Sequence, residues 1–287
     1  MSQPANTRGQ RRDRKLAELD KLGWCDFFEK QRSASDAAVA IPARVTEEHR
    51  GMYRVESTLG LLWAEVSGKF LHEAKMRADM PVVGDWLLVH PDLASKKSVI
   101  HRIFERRTKL SRKSARSEHQ EQLVAANVDT AFVVFSLKEK MNLNRLERYV
   151  ALMQERHIEP VILLTKTDLC TPDEIQKEID AVAALAGDTG IHAISAKGRD
   201  GLNFILDRLS NHKTGVLLGA SGAGKSTLLN TLIGEELQRV GAVRESDQMG
   251  RHTTTARRLV CLATGGMIID TPGVRDLQIW ENAQTEE

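Results

Sequence analysis

The chain has 287 residues, 41% hydrophobic and 28% charged, the balance of a folded globular protein of one or two domains and not of a disordered chain. It has no apolar run long enough to span a membrane, and its arginine-rich start, Met1 to Lys21, lacks the apolar stretch of a secretory signal, so a cytoplasmic protein is expected. The net charge of +2 hides two opposed halves: residues 1–116 carry 23 Lys/Arg against 15 Asp/Glu, a net of +8, and the remainder carries −6, so the first half is expected to meet a polyanion such as nucleic acid.

Residues 1–36 read as a basic arm, with Arg8, Arg11, Arg12, Arg14 and Lys15, leading into a short amphipathic anchor at Leu22, Trp24, Phe27 and Phe28. From Ala37 to about Phe104 come five short β-type runs, at 38–45, 51–55, 61–66, 85–89 and 99–104, separated by turns. That density of strands predicts a small barrel of the OB type, with a β-sandwich as the competing arrangement. The stretch His101 to Arg116 then carries seven Lys/Arg and one acidic residue. Arg106, Arg107, Lys109, Arg112, Lys113 and Arg116 are the candidate phosphate contacts, since a row of cations releases counterions on meeting a nucleic-acid backbone. Residues 37–116 are therefore assigned to an RNA-binding barrel with a basic linker, and 117–287 to a second domain.

After Asn127 the pattern turns α/β. Apolar runs at 130–136, 160–165, 191–195, 215–218, 258–262 and 266–269 are mostly separated by helical stretches at 143–156, 173–186, 202–209 and 225–233. Buried strands alternating with amphipathic helices predict a mainly parallel, doubly wound sheet, whose ligands sit at strand ends.

The chemistry-bearing motifs fall at those ends. Thr165-Lys166-Thr167-Asp168 follows an apolar strand and matches a guanine-reading NKxD-type element, in which the aspartate accepts from the ring N–H and the exocyclic amino group; adenine has no matching pair of donors. Thr165 stands where Asn is usual, so the contact that ties this loop to the phosphate loop is expected to be weakened or altered. Thirty residues on, Ser195-Ala196-Lys197 matches the element whose backbone meets the guanine oxygen. Gly219-Ala220-Ser221-Gly222-Ala223-Gly224-Lys225-Ser226, followed by Thr227, is a complete phosphate-binding loop between a strand and a helix. Its glycines turn backbone N–H groups inward, Lys225 reaches the β- and γ-phosphates, and the Ser226 hydroxyl ligates Mg²⁺. Gly250-Arg-His252-Thr253-Thr254-Thr255 occupies the place of the first switch, with Thr253, then Thr254, as candidate Mg²⁺ and γ-phosphate sensors. Asp270-Thr-Pro-Gly273 ends an apolar strand as a DxxG element does, Asp270 holding Mg²⁺ through a water and the Gly273 N–H meeting the γ-phosphate.

These motifs stand in an unusual order, base-reading elements first and phosphate loop later, which is a circular permutation of the ordinary arrangement. With the GRHTTT string, the DTPG element and the preceding β-barrel, residues 37–280 closely resemble the RsgA/YjeQ family of circularly permuted ribosome-assembly GTPases. The resemblance implies an OB-fold that binds small-subunit rRNA, a GTPase stimulated by the 30S subunit, and release after GTP hydrolysis late in maturation; a monomer with no membrane partner is expected. It also implies a zinc-binding domain with Cys/His ligands beyond the DTPG strand; the three cysteines here, Cys25, Cys170 and Cys261, form no such cluster, which reads as a truncated or lost domain.

Val274 follows DTPG where many GTPases place a water-positioning glutamine, so His252 is the candidate to orient the attacking water, with a packing role in the switch as its alternative. The rival to a hydrolase is an RNA-binding checkpoint module that uses GTP only as a conformational ligand.

Overall fold

A computed structural model describes residues 18–33, 36, 40–49, 51–74, 76–92, 97–114, 117–240, 257–262 and 265–271. The first five strands are β1 (Ile41–His49), β2 (Met52–Ser57), β3 (Gly60–Val66), β4 (Trp86–Asp92) and β5 (Lys97–Ile103). They pair in the order β1-β2-β3-β5-β4, and β4 returns to β1 with Ile41 opposite Val89 and Arg44 opposite Trp86, so the sheet closes on itself. Only β3 and β5 run parallel, because the chain between them crosses the barrel through a short helix at Gly68–Glu73 and then β4. This is the OB-like barrel that the turn spacing predicts.

Period-two alternation sets its inside and outside. On β3, Leu62 and Ala64 face a core shared with Val45, Tyr53, Val55, Leu87, Val89 and Ile100, while Leu61, Trp63 and Glu65 face out. A register shift between Val45 and Glu47 bends β1. The bend lies just where β1 leaves the barrel to meet another strand.

The expected anchor packs on the barrel. Leu19, Leu22, Trp24 and Phe28 form one cluster with Trp86, Leu88 and Phe104, and Trp24 meets Trp86 and Phe104 edge to face at 4.7 and 5.2 Å. Phe27 is the exception, 37% exposed. Arg102 of β5 closes this contact by donating to the Gln31 carbonyl and the Asp36 carboxylate.

From Lys109 the basic stretch forms the first strand of a two-stranded hairpin, β6 (Lys109–Ser114) with β7 (Ser117–Ala126), so these two strands lie on either side of the division expected between residues 116 and 117. Leu110 and Val124 of this hairpin are buried in the same cluster as barrel residues and as Val216 and Ile269 of the second half, so one core runs through both halves.

The second half has β8 (Thr130–Ser136), β9 (Glu159–Thr165), β10 (Gly190–Ile194), β11 (Thr214–Leu218), β12 (Arg258–Cys261) and β13 (Met267–Asp270). Helices α1 (Leu143–Glu155), α2 (Pro172–Ala186), α3 (Leu202–Arg208) and α4 (Lys225–Val240) cover the sheet. The helix starts are chemically marked: Asn142 caps α1, and Thr171 with Glu174 forms a capping box on α2 with proline at its first position. Strand order is β10-β9-β8-β11-β13-β12, parallel throughout except for β12, which is antiparallel to β13. Beyond β12 the sheet continues into the barrel through one pairing, Glu47 opposite Arg258. Among the described residues no helix is long and apolar enough to cross a membrane.

Arg44 locks this junction. Its side chain is buried among the two halves, donating to the Thr214 hydroxyl at 2.9 Å, to the carbonyls of Leu22, Gly84 and Asn127, and to the Met267 sulfur. Burial depresses its guanidinium pKa to about 10.

Candidate functional site

The parallel strands bring four motif-bearing ends to one edge of the sheet. The phosphate loop leaves β11 at Gly219, whose φ of +141° and close approach to β8 both demand glycine; an added Cβ would sit 2.2 Å from the Val134 carbonyl oxygen. Gly219→Ala is therefore expected to abolish measurable GDP binding in a fluorescence titration, because that clash forces the loop off the strand that positions it. Lys225 donates to the carbonyls of Gly219 and Ala220 at 2.7 and 2.6 Å, which folds its ammonium over the loop. Ser226 and Thr227 are exposed on the first turn of α4, Ala223 is buried beneath the loop, and Ser221 and Gly222 form its exposed crest.

The loop after β9 is tied to the phosphate loop by the residue that the sequence made doubtful. The Thr165 hydroxyl, buried, lies 2.7 Å from the Ala223 carbonyl and 3.1 Å from that of Phe135, both acceptors for its one proton. The tie expected to be weakened or altered is present in altered form, made by a hydroxyl in place of an amide. Removing it in Thr165→Val leaves a buried carbonyl unpaired at a cost of about 1–3 kcal/mol, so GDP affinity is expected to fall roughly tenfold in the same titration.

Next to Thr165, Lys166 takes the left-handed conformation at φ +68°, and Asp168 is exposed on a 3₁₀ turn. Ser195, fully buried at the end of β10, donates to Asp168 Oδ1 at 2.6 Å and accepts from the Gly198 N–H at 2.7 Å. The sequence assigned this element only a backbone role; the side chain of Ser195 also aims the carboxylate that would read the base. Ala196 is buried and Lys197 exposed. One residue that the sequence did not single out is Glu139, whose carboxylate is 3.7 Å from the Lys166 ammonium and would touch a Cβ at Gly222. It carries no motif, and only the fold brings it there.

Asp270 ends β13, the strand beside β11. Burial pushes its carboxyl pKa up, while the Lys225 charge and the Thr271 N–H pull it down. Asp270, half-buried and within the electrostatic reach of Lys225, and the exposed Ser226 hydroxyl on the first turn of α4 are hard oxygen donors of the kind Mg²⁺ takes, and a cation at Asp270 would offset the burial. Among the described residues no group of three or more His, Cys, Asp or Glu side chains could hold a metal ion. His252, Thr253, Thr254, Gly273 and Arg116 lie outside the described residues.

The basic set divides. Arg106 is not a free surface cation: its side chain is 9% exposed, it grips buried Asp85 through two bonds of 2.7 and 2.8 Å, and it donates to the carbonyls of Ala78 and Met80. This corrects its reading as a phosphate contact, because all the donors of its fork that face the protein are engaged inside. Arg107 is exposed, pairs with Asp129 at 2.9 Å and lies over the Phe28 ring. Arg112 donates to Gln122, Lys109 is exposed on β6, and Lys113 lies on the same strand.

Comparison with known proteins agrees with this geometry. Residues 103–280 match the family model described as RsgA GTPase. The chain is 39% identical to the small ribosomal subunit biogenesis GTPase RsgA 2 of Vibrio vulnificus, over 91% of this chain and 70% of that protein. It is likewise 39% identical to the small ribosomal subunit biogenesis GTPase RsgA of Opitutus terrae, over 91% of this chain and 73% of the relative. Among solved structures it resembles YjeQ from Thermotoga maritima, with a TM-score of 0.63 and 25% identity over 84% of this chain and 77% of that one. YloQ, described as a circularly permuted GTPase, aligns with a TM-score of 0.58 and 25% identity, over 86% and 75% of the two chains.

Proposed function

Because the chain belongs to the RsgA GTPase family, we propose that it binds GTP at the shared strand edge and hydrolyses it to GDP and phosphate on the small ribosomal subunit during late maturation, in the cytoplasm. The observation that carries the guanine assignment is the pair of ties at the base loop, Ser195 to Asp168 and Thr165 to Ala223. They hold the base-reading carboxylate in fixed relation to the phosphate loop, so base and phosphates are recognised as one rigid ligand.

In the bound state Lys225 exchanges its two loop carbonyls for phosphate oxygens, and the backbone N–H groups of Gly222 to Ser226 surround the β-phosphate at the start of α4. Ser226 and Asp270 are the described residues that would hold Mg²⁺, with Thr253 or Thr254 as the candidates to complete its shell; bound there, the ion would supply positive charge to offset that of the phosphates. His252 is assigned the orientation of the attacking water. His252→Ala is expected to lower subunit-stimulated single-turnover hydrolysis while GTP affinity stays within about twofold; unchanged stimulation removes that assignment.

For RNA, the reading now rests on Lys109, Arg112, Lys113 and Arg116 with Arg107, and no longer on Arg106. The test is co-sedimentation with small ribosomal subunits under GTP, GDP and a non-hydrolysable analogue at two salt concentrations. Tighter binding with the analogue than with GDP, weakening as salt rises, is expected. Binding indifferent to both nucleotide and salt would sink the proposal.

A further inference from the structure

Directly opposed residues on neighbouring strands share one face of a sheet, with their Cβ atoms about 4.5–5.5 Å apart. One such row starts at Asp270 and leaves the nucleotide site altogether. Asp270 on β13 is opposite Arg258 on β12, Arg258 is opposite Glu47 on β1, Glu47 is opposite Arg54 on β2, and Arg54 is opposite Trp63 on β3. Arg258 thus lies between two carboxylates, and the structure shows which one it takes: its Nε is 3.2 Å from Glu47 Oε1.

Glu47 is itself shared. Its Oε1 also faces Arg54 Nη1 at 3.7 Å, and its Oε2 meets His49 Nε2 at 3.0 Å, His49 in turn lying edge-on to the exposed Trp63 ring at 5.1 Å. The next residue repeats the link, Glu48 pairing with Arg257 at 3.2 Å. Among the described residues β1 is the barrel strand that pairs with the GTPase sheet, so this carboxylate is where the outer face of the barrel touches the row that ends at Asp270.

We infer that Glu47 is a positioning residue for the metal site: it draws the Arg258 guanidinium toward the barrel and so keeps it off Asp270, leaving that carboxylate free for Mg²⁺. The inference rests on the reading of Asp270 as the metal-holding carboxylate. Without Glu47, Arg258 has Asp270 as its remaining cross-strand carboxylate, and the guanidinium competes with the cation. Any anion that takes Arg54 on the barrel face leaves more of Glu47 to Arg258, which links occupancy of the barrel to the affinity of the metal site through side chains alone.

The test measures release of fluorescent GDP from the full chain across a Mg²⁺ titration, with a parallel series in chelator. Glu47→Gln is expected to raise the Mg²⁺ concentration needed for slow release about three- to fivefold, the scale of a partly exposed ion pair, with release in chelator unchanged. Glu47→Gln combined with Arg258→Gln is expected to return to the wild-type midpoint. Arg54→Gln, which leaves Glu47 to Arg258, is expected not to raise it. An unchanged midpoint in Glu47→Gln, an effect that persists in the double variant, faster release in chelator, or a raised midpoint in Arg54→Gln each overturns the inference. Asp270→Asn is run alongside and separates the two levels: if it keeps the wild-type Mg²⁺ response, the reading of Asp270 falls, and if it loses that response while Glu47→Gln does not shift it, only the role of Glu47 falls.

Discussion

Asp168→Asn is expected to lower GDP and GTP affinity by about two to three orders of magnitude while admitting xanthosine diphosphate. The direction follows from Ser195. Its hydroxyl donates to Asp168 Oδ1, and an asparagine in that place keeps the bond only by presenting its carbonyl there. The amide NH₂ then occupies the position of the second carboxylate oxygen and faces the base. Guanine offers an amino donor at that point, so donor meets donor; xanthine offers a carbonyl, which accepts. Competition titrations with fluorescent GDP against GDP, ATP and xanthosine diphosphate measure the switch. Retained preference for GDP in the variant would show that another group reads the base.

Arg106→Ala is expected to destabilise the fold by about 3–5 kcal/mol, because it strands the Asp85 carboxylate, which has no solvent exposure, without its cation. Among the described residues Asp85 then keeps the Val82 N–H at 2.8 Å as its hydrogen-bond donor, and the carbonyls of Ala78 and Met80 lose the Arg106 donor. Urea unfolding reads the loss. Lys109→Ala, on the exposed face of the hairpin, is expected to change stability by less than about 0.5 kcal/mol and to reduce the salt slope of subunit binding by roughly one phosphate contact. The two substitutions thus separate, by opposite signatures, a cation that builds the barrel from one available to RNA. Equal effects on stability would contradict the burial of Arg106.

Those two residues also mark how far the sequence could be read. Arg106 and Lys109 stand three positions apart in one basic run, and nothing in their spacing distinguishes them. The difference is made by Asp85, which is brought to Arg106 by strand pairing across the barrel. Thr165 is a similar case: the sequence shows a departure from the usual asparagine, but the acceptor that rescues the contact, the Ala223 carbonyl, lies 58 residues away on a different loop. Glu139 had no signal at all, since a lone glutamate after a strand is an ordinary surface residue until two loops close around it.

What the sequence determined by itself is what local physics controls. Apolar runs alternating with amphipathic helices dictate a parallel sheet, five short alternating strands narrow the first half to a small barrel or sandwich, and a glycine-rich turn between strand and helix dictates a phosphate site, each within a few consecutive residues; the pairing of β4 with β1 closes the barrel. The permuted order of Thr165 to Asp168 and Gly219 to Ser226 was legible for the same reason, because each motif is complete in its own segment. Only the tertiary structure decided which charges are engaged inside and which face out, how Ser195 aims Asp168, and that Glu47 and Arg258, 211 positions apart, sit side by side at the join of barrel and sheet. A charged side chain takes its role from whichever partner the strand register sets opposite it, and that register is a property of the closed fold, not of the neighbouring residues in the chain.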